Sequence, residues 1–193
     1  MSNNIVRKSS PVAKLAITAL FTTLIIVGSF LKIPTPIIPI TLQFTAVCIT
    51  GLMLGQKWGT ISVLCFILLG LFGVPVFTGG GGFSYIFTLT FGYIYGFALG
   101  VFFSGFVLRG APPKTSFKRL MTAALINIVI VYICGALHFW LIKTLYLGES
   151  VSLKVLFVTT VGLFFVKDLV MAVLAVLLAL RLRPVLYQNV DMA

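Results

Sequence analysis

Acidic residues are almost missing from this chain. Its 193 residues hold three Asp plus Glu against fourteen Lys plus Arg, and charged residues of both signs make up only 9%. There is one histidine, His138, and there are three cysteines, Cys48, Cys65 and Cys134. Each shortage removes a class of chemistry. Hydrolytic metal sites need clustered His, Cys and carboxylate ligands, and neither HExxH nor CxxC occurs. Glycoside hydrolysis needs two carboxylates across a cleft, and a serine triad needs a histidine backed by an acid. No GK[ST] follows a glycine-rich loop, so there is no Walker A motif. Neither an enzyme nor a metal or cofactor site is expected. The cysteines lie in separate apolar segments and read as small apolar fillers.

What the chain does have is apolar sequence. It is 60% hydrophobic with a mean hydropathy of +1.19, where a soluble domain carries roughly 25% charged residues. The expected class is an all-α integral membrane protein. A single domain spans 1–193, with a polar segment at 1–10, a short tail at 184–193 and room for about five to seven crossings. The first apolar stretch lacks a small-residue cleavage site and reads as a span rather than a secretory signal. A net charge of +11 would suit nucleic acid. The basic residues sit at segment ends, however, so membrane orientation explains them better.

Six apolar segments are expected, at about 12–31, 43–54, 58–71, 84–108, 120–147 and 157–183. Pro11 suits the first turn of a helix, and Ala13, Ala16, Ala19 and Thr23 place small residues along segment 1, where another helix can approach. Pro34, Pro36 and Pro39 exclude a regular helix from the 1–2 connection, although that connection is apolar. Thr41 and Gln43 follow at the entry to segment 2. Between segments 3 and 4, the run Phe77, Thr78, Gly79, Gly80, Gly81, Gly82, Phe83 cannot be a stable helix. Bare backbone of this kind can bring N–H groups close to a ligand, or can simply be a flexible loop. Gly92, Gly96 and Gly100 recur every fourth residue, a close-packing face. Tyr93 can face a ligand or anchor at the interface, and Asn127 is expected to hydrogen-bond between helices.

Lys167 and Asp168 stand in the middle of segment 6. Asp168 is the only acid inside an apolar segment. Burying a lone carboxylate there costs at least a few kcal/mol unless it finds a partner or a water-lined cavity, which makes it a functional candidate. An ion pair that locks the helix is the structural alternative. Orientation follows from the cations. With six crossings, one side carries Arg7, Lys8, Lys14, Lys57, Arg109, Lys114, Lys118, Arg119, Arg181 and Arg183, and the other Lys32, Lys143 and Lys154. The positive-inside bias makes both termini cytoplasmic, with the proline and glycine loops outside covering a ligand pocket above Asp168.

The stretches IPTPIIPITLQ (33–43), LGQKWGTISVLCFILLGLFGVPVFTGGGG (54–82) and FGYIYGFALG (91–100), together with the Asp168 helix, resemble the biotin-specific substrate-binding (S) components of energy-coupling-factor (ECF) transporters. The resemblance covers nearly the whole chain. It implies a six-helix membrane protein that binds biotin, as substrate rather than cofactor, on its outer face. It also implies docking on a transmembrane coupling subunit that carries two cytoplasmic ATPases. In that family a lysine commonly follows the helix-6 aspartate by three residues; that position is Met171 here, and Lys167 adjoins the aspartate instead. The small-residue coupling motif of helix 1 would correspond to Ala13, Ala16, Ala19 and Thr23. On this reading Asp168 accepts a ureido N–H of biotin, and Gln43, Tyr93 or Asn127 donates to the ureido oxygen. Phe77, Phe83 and Tyr85 pack the rings. The carboxylate tail meets the N–H groups of Gly79 to Gly82, or Lys167, and Thr41 lies at the pocket edge. An S component for another vitamin would share this architecture. A solitary secondary transporter would want several coupling carboxylates and inverted repeats, which are not evident.

Overall fold

A computed structural model describes residues 10–33, 40–162 and 164–190; the three prolines of the 1–2 connection lie outside the described residues. Helix α1 (Pro11–Phe30) opens where Ser10 Oγ accepts from the Val12 N–H and Pro11 occupies the first turn. Its inner face is Thr18, Thr22, Ile25 and Ser29, a three- and four-residue stripe. It packs on α2 (Gln43–Leu71), where Thr22 Oγ1 and Ser62 Oγ lie 3.1 Å apart. Two-residue strands β1 (Lys32–Ile33) and β2 (Ile40–Thr41) pair antiparallel, Lys32 opposite Thr41, and lead into α2.

Helix α2 folds back on itself. Gly55 has φ 70° and ψ −162°, outside helical values. A Cβ added to Gly59 would lie 3.3 Å from the Thr50 carbonyl oxygen, although nine residues of straight helix span roughly 13 Å. The two limbs, 43–54 and 56–71, are therefore antiparallel neighbours, as the Gly55–Gln56–Lys57 turn predicts. Glycine is needed at Gly55 because its φ lies in the left-handed region.

Next come a short 3-10 turn (Phe83–Phe87), α3 (Phe91–Val107) and α4 (Phe117–Leu141), the last extended by a π turn at Ile142–Tyr146. The sequence places the start of the α3 segment at 84. It starts later because Thr88 Oγ1 donates to the Tyr85 carbonyl and closes a separate turn. The glycine face of α3 meets α4 closely: an added Cβ at Gly96 would lie 2.9 Å from Cys134 Cβ, and one at Gly100 would overlap Asn127 Oδ1.

The last segment departs furthest from expectation. Residues 157–183 do not form one helix. α5 (Leu153–Phe157) runs into a π turn (Val158–Gly162), and α6 (Phe165–Asn189) starts afresh. The π turn is fastened from α3, where Tyr93 Oη donates to the Thr160 carbonyl at 2.8 Å. α6 also does not end at Arg183. It continues through Pro184 to Asn189, so most of the expected tail is helical. Pro184 forfeits one backbone bond. The turn around it is held by Arg183, only 2% exposed, whose Nη1 donates to Pro112 O at 3.1 Å and to Thr115 Oγ1. The Arg183 guanidinium also lies 4.7 Å from the Tyr187 ring centre.

Among the described residues, four helical stretches are long and apolar enough to cross a bilayer: Pro11–Phe30, Gln43–Leu71, Phe117–Tyr146 and Leu153–Asn189; α3 is a shorter apolar helix. Leu20, Leu68, Phe102, Phe106, Leu137 and Val166 are among many large apolar side chains left exposed. Lipid is the solvent that tolerates such a surface.

The α3–α4 contact yields a prediction. Gly96→Val should destabilise the detergent-solubilised protein by about 1–3 kcal/mol through overpacking. Leu64→Ala, on an exposed apolar position, should change the unfolding temperature little.

Candidate functional site

The break before α6 places Asp168 in the first helical turn rather than in mid-helix. There the backbone dipole favours a negative charge. Asp168 is 6% exposed. Its Oδ2 accepts from Tyr132 Oη of α4 at 2.6 Å, and its Oδ1 lies 2.5 Å from Lys167 Nζ. Lys167 Nζ also donates to the Thr41 carbonyl at 2.8 Å. The ion pair thus ties α6 to the end of the β1–β2 hairpin. The ion pair is the one close contact of Oδ1 among the described residues, and a carboxylate oxygen has a second lone pair for a further donor.

Beside this group lies a cavity with about 620 Å³ of empty space, its open mouth included. It is a narrow slot: the centre of a water-sized sphere can occupy only about 70 Å³ of it. Thr41 lines it from β2, Gln43 from the start of α2, Thr78 and Tyr85 from the 3–4 connection, Tyr93 and Phe97 from α3, Tyr132 from α4, and Lys167 and Asp168 from α6. Gln43 is 4% exposed, and its Nε2 has no partner among the described residues. The slot therefore pairs an acceptor, Asp168 Oδ1, with an unused donor, Gln43 Nε2, between aromatic walls. Among the described residues there is no group of three or more His, Cys, Asp or Glu able to hold a metal.

Of the residues expected to touch a ligand, Thr41, Gln43, Tyr85, Tyr93, Lys167 and Asp168 line the cavity. Tyr93 does so with its hydroxyl already committed to Thr160. The others lie elsewhere. Phe77 is 1% exposed and sits behind the wall, its ring 4.7 Å from that of Tyr85 and 5.3 Å from that of Phe66. Phe83 points outward at 70% exposure. Asn127 is buried at the α3–α4 crossing beside Gly100, with both amide atoms unpartnered among the described residues.

The glycine run Gly79 to Gly82 does not line the cavity either, and three of its four N–H groups are used internally. Gly80 N–H donates to Phe77 O at 3.0 Å, Gly82 N–H to Gly70 O at 2.7 Å, and Gly79 N–H to Tyr85 Oη at 3.3 Å. Side chains are excluded there for structural reasons, since a Cβ at Gly81 would overlap the Val74 carbonyl. Met171 does not line the cavity, whereas Lys167 does. On α1, Ala16, Ala19 and Thr23 are exposed and Ala13 is half-buried.

Sequence reasoning missed Tyr132, Thr78 and Thr90. Tyr132 carries no local signal, because its partner is 36 residues away. Thr90 sits in the turn that His138 fastens: His138 Nε2 lies 3.1 Å from the Thr88 carbonyl. A carbonyl only accepts, so that nitrogen carries the proton.

The BioY family model matches residues 1–188. The chain belongs to the BioY family. Its relatives include a Lysinibacillus sphaericus protein named "probable biotin transporter BioY", 35% identical over 178 residues, covering 92% of this chain and 90% of the relative. The biotin transporter BioY of Thermotoga maritima is 35% identical over 166 residues, covering 85% and 92%. A crystal structure of the S-component for biotin from an ECF-type ABC transporter superposes with a TM-score of 0.78 at 31% identity, covering 95% of this chain and 94% of that one. This BioY-family fold is shared along nearly its full length.

The Asp168 network gives an ordered prediction. Tyr132→Phe removes one hydrogen bond to a buried charge and should cost about 1–3 kcal/mol. Lys167→Met leaves the carboxylate without its cation and should cost more, up to about 3–5 kcal/mol. Thermal unfolding in detergent ranks the two.

Proposed function

We propose that this chain is the biotin-binding S component of an ECF-type vitamin uptake transporter. The observation that carries the reading is a buried Asp168 carboxylate, ion-paired to Lys167, and an unpartnered Gln43 amide lining the same aromatic slot. Biotin offers a ureido ring with two N–H donors and one carbonyl acceptor, an apolar thioether ring and a carboxylate tail. Asp168 Oδ1 accepts a ureido N–H, a charge-assisted bond away from bulk water. Gln43 Nε2 donates to the ureido oxygen. Tyr85, Tyr93, Phe44 and Phe97 flank the rings. Family membership and relatives named as biotin transporters support the same substrate.

The chain crosses the membrane six times in this reading: once each for α1, the two limbs of α2, α3 and α4, and once for the α5–α6 segment. Six alternating crossings put Lys14, Lys57, Arg109, Lys114, Lys118, Arg119, Arg181 and Arg183 at the end opposite the cavity. That end and both termini are cytoplasmic. Biotin then enters from outside. With no nucleotide-binding motif of its own, the chain relies on a transmembrane coupling subunit with two cytoplasmic ATPases. It meets that subunit through the outer face of α1 around Ala13, Ala16, Ala19 and Thr23. The cell membrane is the expected location.

Calorimetry on the purified protein tests the substrate. One-to-one binding of biotin is expected, with no binding of thiamine. Asp168→Asn should weaken biotin about 10–100-fold, the worth of a hydrogen bond to a charged group. Unchanged affinity would make Asp168 a structural residue, and thiamine binding would move the reading to another vitamin. For orientation, a cysteine at Lys114 should react with impermeant maleimide only after the membrane is opened.

A further inference from the structure

The charge count around the cavity leaves one cation over. Outside the clustered basic end, the described Lys and Arg residues are Lys32, Lys143, Lys154 and Lys167. Lys143 is paired with Glu149 at 2.5 Å, and Lys167 with Asp168 at 2.5 Å. Among the described residues no carboxylate lies within ion-pair distance of Lys32 or Lys154. Lys154 belongs to α5, none of whose residues line the cavity. Lys32 is different. Its Nζ donates to the carbonyl of Thr78 at 2.5 Å, and its strand partner is Thr41. Both threonines line the cavity. The ammonium is exposed and is held beside two residues that line the slot.

We propose that Lys32 receives the ligand's carboxylate at the mouth of the cavity and makes the site selective for a monoanion. This rests on the biotin reading and assigns the group that meets the acid tail. The competing receptors are already engaged: the glycine run uses the N–H groups of Gly79, Gly80 and Gly82 internally and does not reach the cavity, and Lys167 is divided between Asp168 and the Thr41 carbonyl. An ammonium has three donors, and the Thr78 carbonyl takes one of them. With Asp168 and Lys167 cancelling, a bound carboxylate balances Lys32. The ureido ring lies deep beside Asp168 and Gln43, and the tail extends toward the hairpin. Lys32 thereby also reports occupancy to the outer segments, because it joins β1 to the 3–4 connection.

The test is calorimetry with biotin and biotin methyl ester on the full chain, its Lys32→Met variant and its Lys32→Arg variant. The wild type should prefer the acid at least about tenfold, the worth of a hydrogen bond to a charged group. Lys32→Met should remove that preference by weakening biotin while shifting the ester less than about threefold, and Lys32→Arg should keep it. Equal weakening of both ligands would make Lys32 a structural strap and overturn the proposal, as would a wild-type preference that survives in Lys32→Met. Unfolding temperatures of the ligand-free proteins identify a variant that has lost its fold, and Lys32→Arg then decides alone: loss of the acid preference with ester binding intact overturns the assignment. A folded wild type that binds no biotin overturns the proposed function and the Lys32 assignment together.

Discussion

A carboxylate withdrawn from water must be met by donors from several directions, and the arrangement around Asp168 draws on three separate parts of the chain. The α6 amino-terminal turn supplies the favourable dipole, α4 supplies the Tyr132 hydroxyl, and the neighbouring residue supplies the Lys167 ammonium. Through Lys167 the β1–β2 hairpin is held as well. The interrupted helix is what permits this. A continuous helix would bury Asp168 among its own satisfied backbone groups, whereas a helix that restarts at Phe165 presents its first turn to the cavity.

The rest of the fold can be understood as keeping that turn in place without side-chain bulk. α3 approaches α4 along its glycine face, which brings Tyr93 and Tyr132 to the same cavity. Tyr93 in turn holds the carbonyl of Thr160 in the π turn. Gly55 reverses α2 so that its first limb delivers Gln43 while its second carries the chain back to Thr78. The glycine run serves this routing. It lets the chain double back over Gly70 and Val74, with Phe77 packed beneath Tyr85.

Much of this was legible in the residues. Periodic glycines predict a tight interface, three amino acids around Gly55 predict a reversal, and one acid among apolar residues predicts a site. What was not legible depended on partners remote in sequence. Nothing near residue 132 distinguishes Tyr132 from an interfacial tyrosine. Nothing in the apolar run 157–183 marks a break, because π turns have no strong composition, and the hydroxyl that stabilises this one comes from α3. The glycines read as an open cradle because composition shows that a Cβ is missing, not what occupies its place. Here the occupant is the chain's own backbone. Arg183 reads as a flanking charge, yet its stem and head are enclosed, with main-chain carbonyl and threonine oxygen in place of an acid.

That enclosed arginine has a mechanical consequence. The connection between α3 and α4 is gripped from both sides: Arg119 donates to the carbonyls of Val107 and Arg109, and Arg183 to Pro112. The base of α6 is thereby welded to its neighbours rather than hinged. From Arg183 to Asp168 the helix is a rod of about 22 Å. A rotation of about 10° imposed at the base would carry the far end through about 4 Å, more than the length of the bonds that hold the carboxylate. Torque applied at one membrane surface would reach the opposite surface as a displacement large enough to exchange one set of hydrogen-bond partners for another.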